Sequence, residues 1–115
     1  MPAPKATIRD FLGTLDFLMF HCGSAQRSGD KAELLASLPY IQSELNRARA
    51  SLERLNLFEL VGRVLNQTET LVASDKIHDA DRLVLSLAIV LGELSGENAV
   101  VRREFGPPPK DVRPQ

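Results

Sequence analysis

Two dipeptides hold most of the reactive side chains in this sequence: His21-Cys22 and His78-Asp79. Imidazole beside thiol is the pairing of a cysteine nucleophile with its base. Imidazole beside carboxylate is a pairing suited to metal ligation. Spacing weighs against the first reading, because adjacent helical residues point about 100° apart and Cys22 would need His78 instead. A zinc site takes about four ligands, and the chain has one cysteine and two histidines in all. Cys22 also continues the apolar positions of its segment, where a small cysteine serves as core.

The segment "KIHDADR", residues 76–82, offers the second possibility. Asp75-x-x-His78 has the i, i+3 spacing of a carboxylate-bundle ligand pair, but no second such pair completes a site. His78-Asp79 is similar to the signature of the HD phosphohydrolases. That resemblance implies an all-α metal-dependent hydrolase with ligands among His21, His78, Asp79 and Asp111. Asp111 falls in a proline-rich tail and the chain is short for the family, so helix capping by Asp79 is the simpler expectation. No phosphate-binding glycine loop, G-x-S-x-G or H-E-x-x-H occurs. No catalytic residue, metal or cofactor is expected.

Net charge is −1, from 14 basic and 15 acidic residues, which announces neither a nucleic-acid coat nor an acidic tail. Arg47, Arg49, Arg54 and Arg63 make the middle of the chain locally basic, with Glu44, Glu53 and Glu59 interleaved. A small nucleic-acid-binding regulator using this region is the alternative function. It lacks a readable helix-turn-helix with a basic second helix, and a solvated charged face is the default.

The elements that must position these residues read as helices throughout. Aromatics are few (five Phe, one Tyr, no Trp), and Leu, Ala, Val and Ile supply the apolar 43%. At 115 residues the chain makes one domain with its own core. Apolar residues Ile8, Phe11, Leu12, Leu15, Leu18, Met19 and Cys22 recur at helical spacing, predicting a first helix over 6–22. Phe17 and Phe20 widen that face towards a second neighbour, and Gly23-Ser24 are expected to end the helix. Asp10 and Asp16 interrupt the region, which makes it a helix rather than a signal peptide.

Asp30 with Glu33 reads as the start of a second helix over 30–55. Its seam is Leu34, Leu38, Ile41, Leu45, Ala48, Leu52 and Leu55, with Pro39 predicting a kink near Leu38. In that seam Glu44 and Arg49 have the offset of an ion pair between parallel copies. Asn56 with Glu59 predicts a fresh start and a third helix over 57–73, carrying Val61, Val64, Leu65, Thr68 and Val72 on one face. Asp79 is the expected N-cap of a fourth helix over 79–105. Its run Leu83–Leu94 is nearly all apolar but too short for a bilayer, which takes about 20 residues. That helix is therefore expected to be the most buried.

The sequence thus predicts an all-α bundle of about four helices: a frayed stretch 1–5, one domain over 6–105, and an extended or disordered proline-rich tail 106–115. Two strict seams suggest self-association, with Leu87, Leu91, Leu94, Asn98, Val101 and Phe105 as first-choice interface. Leu38, Ile41, Leu45 and Leu52 are the second choice. Asn98 sits at a seam position that would set register between two copies. The expected role is a non-enzymatic interaction or adaptor module, a homodimer that also accepts a helix of another protein. A single cysteine points to the cytoplasm, and no membrane segment is expected.

Overall fold

The computed structural model of the protein describes residues 6–96. Among the described residues the chain forms five helices and no strand: α1 (Ile8–Ser28), α2 (Ala32–Arg47), α3 (Arg49–Arg54), α4 (Phe58–Ala73) and α5 (Ile77–Ser95). This is the all-α bundle expected, with the second helix divided in two. α1 packs against both α2 and α5, α5 also packs on α4, and α2 meets α4 only lightly. The start of α1 shares a groove with the end of α5, through Thr7, Ile8, Leu94 and Ser95. Those two helices therefore run antiparallel.

The most enclosed helix is α1, not the last one. Phe11, Leu15, Leu18 and Cys22 are fully buried along it, while α5 leaves Ile89, Val90 and Leu94 in solvent. Phe17 and Phe20 are not buried against a second neighbour either; they are 40% and 64% exposed, and Phe17 only meets the Tyr40 ring of α2 edge-on. α1 reaches its two neighbours through a broad stripe that also contains Leu12, Thr14 and Met19.

α1 begins at a capping box. The Asp10 N–H donates to the Thr7 hydroxyl at 3.1 Å, and the Thr7 N–H donates to the Asp10 carboxylate at 3.0 Å. Gly23-Ser24 does not stop it. An internal glycine costs about 1 kcal/mol of helix propensity, and burial of Cys22 and Ala25 on either side outweighs that. The helix instead ends at Gly29, in the left-handed region at φ 75°. Asp30 then accepts from the Ala32 N–H at 2.9 Å, supplying a first-turn acceptor although α2 starts beyond it.

α2 continues through Pro39, and the break falls at Ala48 instead. Proline removes the donor that the Leu35 carbonyl would use, but both residues are exposed, so that carbonyl is open to solvent. At Ala48 the cause is tertiary. The Ala6 N–H donates to the Arg47 carbonyl at 3.0 Å, and the Ser51 hydroxyl donates to the Ala6 carbonyl at 3.0 Å. The N-terminal strap is thereby stitched across the break, over a fully buried Ala48.

Two further turns share one design. At Asn56 (φ 58°) the Leu57 N–H donates to the Leu52 carbonyl and the Asn56 N–H to the Glu53 carbonyl. At Asp75 (φ 61°) the Lys76 N–H donates to the Leu71 carbonyl and the Asp75 N–H to the Val72 carbonyl. Both are Schellman closures with a left-handed non-glycine residue. Asn56 therefore terminates α3 rather than capping α4. Asp79 lies inside the first turn of α5, which starts at Ile77, because the Asp75 turn delivers the chain directly into that helix. α5 in turn ends at Ser95, with Gly96 left-handed at φ 81°, well short of residue 105. Lys31 ties the far end of the bundle. Its ammonium donates to the Val72 carbonyl at 3.1 Å and pairs with Asp75 at 2.7 Å.

Three outcomes follow from these caps. Thr7→Ala should lower unfolding free energy in urea by about 1 kcal/mol. The Thr7 N–H, then the Thr7 hydroxyl, hold the Asp10 carboxyl below its ordinary value. Its contribution is therefore present above the unfolded carboxylate range and is lost as pH falls through the folded value. Asp10→Asn should flatten the acid limb of the stability curve below about pH 4. Asn56→Val should destabilise by about 1 kcal/mol, whereas Asn56→Gly should not, since only the branched residue resists the left-handed turn.

Candidate interaction surface

The two reactive dipeptides are taken apart by the fold. Cys22 is fully buried on the core side of α1, and its thiol is pushed up to about 12, first by burial and then by the nearby Asp81 carboxylate. His21 points away from it, half-buried, with its ring edge-on to Phe17 at 4.5 Å and to Phe20 at 5.6 Å. Its Nδ1 is buried and has no hydrogen-bond partner. His78 and Asp79 are exposed in the first turn of α5. Asp81 has its carboxyl raised by burial, opposed by His78 and Arg82. Among the described residues no three His, Cys, Asp or Glu side chains converge as a metal site. Asp111 lies outside them.

Three of the mid-chain arginines, Arg47, Arg49 and Arg54, have partners within the chain. Arg47 donates twice to the Glu44 carboxylate at 2.8 Å, and Arg49 donates to Glu53 at 3.0 Å. Within one chain, Glu44 and Arg49 thus pair with Arg47 and Glu53 rather than with each other. The Arg49 guanidinium also lies over the Phe58 ring, 4.7 Å from its centroid, and Arg54 donates to the Ser51 hydroxyl. Acidic side chains therefore neutralise Arg47 and Arg49.

The seam residues expected at an interface are divided between core and surface. Leu87, Leu91, Ile41, Leu45 and Leu52 are buried in the chain's own core, and Leu38 packs partly against it. The 3–4 spacing that marks a seam between molecules marks a bundle interior equally well, and here it serves the interior. Leu94 is the described exception, 59% exposed. Asn98, Val101 and Phe105 lie outside the described residues.

A different surface gathers exposed aromatics. Phe17 on α1 meets Tyr40 on α2 edge-on, with ring centroids 5.5 Å apart. Phe20 lies one turn further along α1, and Tyr40 is half-exposed. Three of the six aromatic residues in the chain thus sit in solvent across one helix pair. Charge is nearly absent around them. Residues 34–43 contain no Asp, Glu, Lys or Arg, and residues 13–24 contain only Asp16, which is half-buried. The signal was present in the sequence as an uncharged decad in a chain that is 25% charged. Helical periodicity does not reveal it, because periodicity finds the buried face and is silent about the other one.

Comparison with protein-family models, with curated proteins and with solved structures found no match. Among the described residues no helix is long and apolar enough to cross a membrane.

The environment of Cys22 has a measurable consequence. The native protein at neutral pH should resist alkylation by iodoacetamide, and modification should proceed at the rate of global unfolding. Rapid labelling of the folded chain, followed by mass spectrometry, would contradict its placement in the core.

Proposed function

We propose that this chain is a small non-enzymatic protein–protein interaction module that self-associates as a homodimer. The observation that supports it is the exposed aromatic group Phe17, Phe20 and Tyr40, in segments where Asp16 is the one charged residue among 13–24 and 34–43. Interface cores are enriched in aromatic residues and depleted of charge relative to other surface, whereas single exposed apolar residues are ordinary. The reactive groups take part in packing or pairing: Cys22 lies in the core, and the Glu44–Arg47 and Arg49–Glu53 pairs neutralise one another. A single cysteine held as a buried thiol suits a reducing cytoplasm. An adaptor role follows if the dimer presents its remaining apolar side chains, such as Val90 and Leu94 on α5, to a helix of another protein.

Sedimentation equilibrium at tens of micromolar is the direct check. The expected mass is twice the 12.7 kDa of one chain. A strict monomer over that range would overturn the self-association reading.

A further inference from the structure

The described chain leaves α5 beside an open groove. It encloses about 370 Å³ between the start of α1, the end of α3 with Leu55, and the last turn of α5. Leu94 is 59% exposed and Leu55 37% exposed, so its apolar lining is uncovered. The hydroxyls around them already have partners. Ser51 donates to the Ala6 carbonyl at 3.0 Å, Ser95 donates to the Gly92 carbonyl at 3.3 Å, and Thr7 accepts from the Asp10 N–H. Arg54 is the one charged side chain among the described residues of the lining. Such a groove suits an apolar occupant with an acidic group at one edge.

Three occupants compete for it. Residues 97–105, "ENAVVRREF", continue from Gly96, whose left-handed conformation at φ 81° turns the chain off the helix axis. That turn stands next to Leu94 and Ser95, which line the groove. Val100 and Val101 follow within five positions of Gly96, so at about 3.3 Å per residue they reach up to about 16 Å from it. Glu97 comes first and is opposite in charge to Arg54. Residues 1–5 also start near the groove, through Ala6, but they contain two prolines and bring Lys5 towards a lining that is already cationic. A separate chain would have to compete from solution with a tethered segment, whose effective concentration is about millimolar. Sequence, charge and tether all favour residues 97–105.

We infer that residues 97–105 dock back into this groove of their own chain, with Val100 and Val101 against Leu55 and Leu94 and with Glu97 towards Arg54. The segment expected to carry a seam onward to a second copy is thereby turned onto its own domain. The contact is independent of the self-association proposed above, since each copy in a dimer carries its own segment. It does bear on the adaptor role, because a helix of another protein must displace the segment before it reaches Leu94.

The test uses the full chain with a nitroxide attached at Arg103→Cys, and circular dichroism verifies the helicity of each variant. Cys22 is buried, so the introduced thiol is the one that takes the label. The nitroxide should broaden the amide resonances of Ile8 and Leu55, which are remote from residue 103 in sequence. The broadening should persist when the labelled chain is mixed with an excess of unmodified chain. Adding Val100→Asp and Val101→Asp should lower the docking equilibrium constant at least about tenfold and sharpen both resonances. Sharp Ile8 and Leu55 signals before those two changes would overturn the inference. So would broadening that the excess of unmodified chain removes, which assigns the groove to a second copy. Broadening that survives both aspartates also overturns it, since apolar anchoring is then not what holds the segment. A nitroxide at Ala3→Cys that broadens Leu55 and Leu94, while the one at Arg103→Cys leaves Leu55 sharp, gives the groove to residues 1–5 instead and likewise overturns it.

Discussion

The enclosure of α1 between α2 and α5 is the constraint on which the other packing in this protein depends. Its fully buried residues, Phe11, Leu15, Leu18 and Cys22, lie on one stripe and meet two helices at once. Truncating a side chain in such a position generally costs about 2–5 kcal/mol, a large share of a small domain's stability. Each neighbour supplies a matching stripe: Leu34, Ile41 and Leu45 from α2, and Val84, Ala88 and Leu91 from α5. α4 completes the bundle through Val61, Leu65 and Val72, its buried Thr68 hydroxyl satisfied by the Val64 carbonyl at 2.8 Å. With only one aromatic among the fully buried side chains of the described residues, their interior is mostly leucine and smaller aliphatic residues. That leaves most of the aromatic surface for use elsewhere.

Both ends of the bundle are tied by contacts remote in sequence. At one end Lys31, from the α1–α2 connection, binds the last carbonyls of α4 and the Asp75 side chain that follows it. At the other, Ala6 exchanges backbone and hydroxyl hydrogen bonds with Arg47 and Ser51. These ties act where helix termini leave carbonyls unsatisfied, so they stabilise points at which the chain would otherwise fray. They also explain the short connections. Left-handed residues at Gly29, Asn56 and Asp75 reverse the chain within a few positions, and the long-range bonds hold the reversed segments together.

The polar side chains that suggested chemistry have structural positions. Cys22 is a core residue, Asp79 lies in the first turn of α5, and the nearly buried Glu44 pairs with a partly exposed Arg47 beside the α2–α3 break. His21 differs from them. It sits between Phe17 and Phe20 with one ring nitrogen enclosed and unbonded, at a cost that an isolated surface histidine would not bear. The ring packs as part of the aromatic group, which gives the surface across α1 and α2 a continuity that Phe17 and Phe20 alone would lack.

Local sequence determined that this chain is helical, where most helices lie, and which residues are apolar enough to form a core. Periodicity of 3.6 survives in any environment that buries one face, so Leu15, Ile41, Leu65 and Leu91 were legible as positions on a packed face, though Ile41 and Leu91 were expected to face another copy. Local signals were less decisive at the boundaries. Gly23 and Pro39 are both breakers by propensity, yet burial on either side of Gly23 and solvent around Pro39 let the helices continue. Ala48, with no breaking tendency, became a break because Ala6 reached the adjoining Arg47 carbonyl from far along the chain. Asn56 and Asp79 are good N-caps in isolation, but the left-handed turns at Asn56 and Asp75 placed one after a helix and the other inside one. Whether a seam faces its own chain or another molecule was beyond local reading altogether. The same 3–4 spacing serves both, and only assembly of the bundle put Leu87 and Leu91 inside while leaving Phe17, Phe20 and Tyr40 to the solvent.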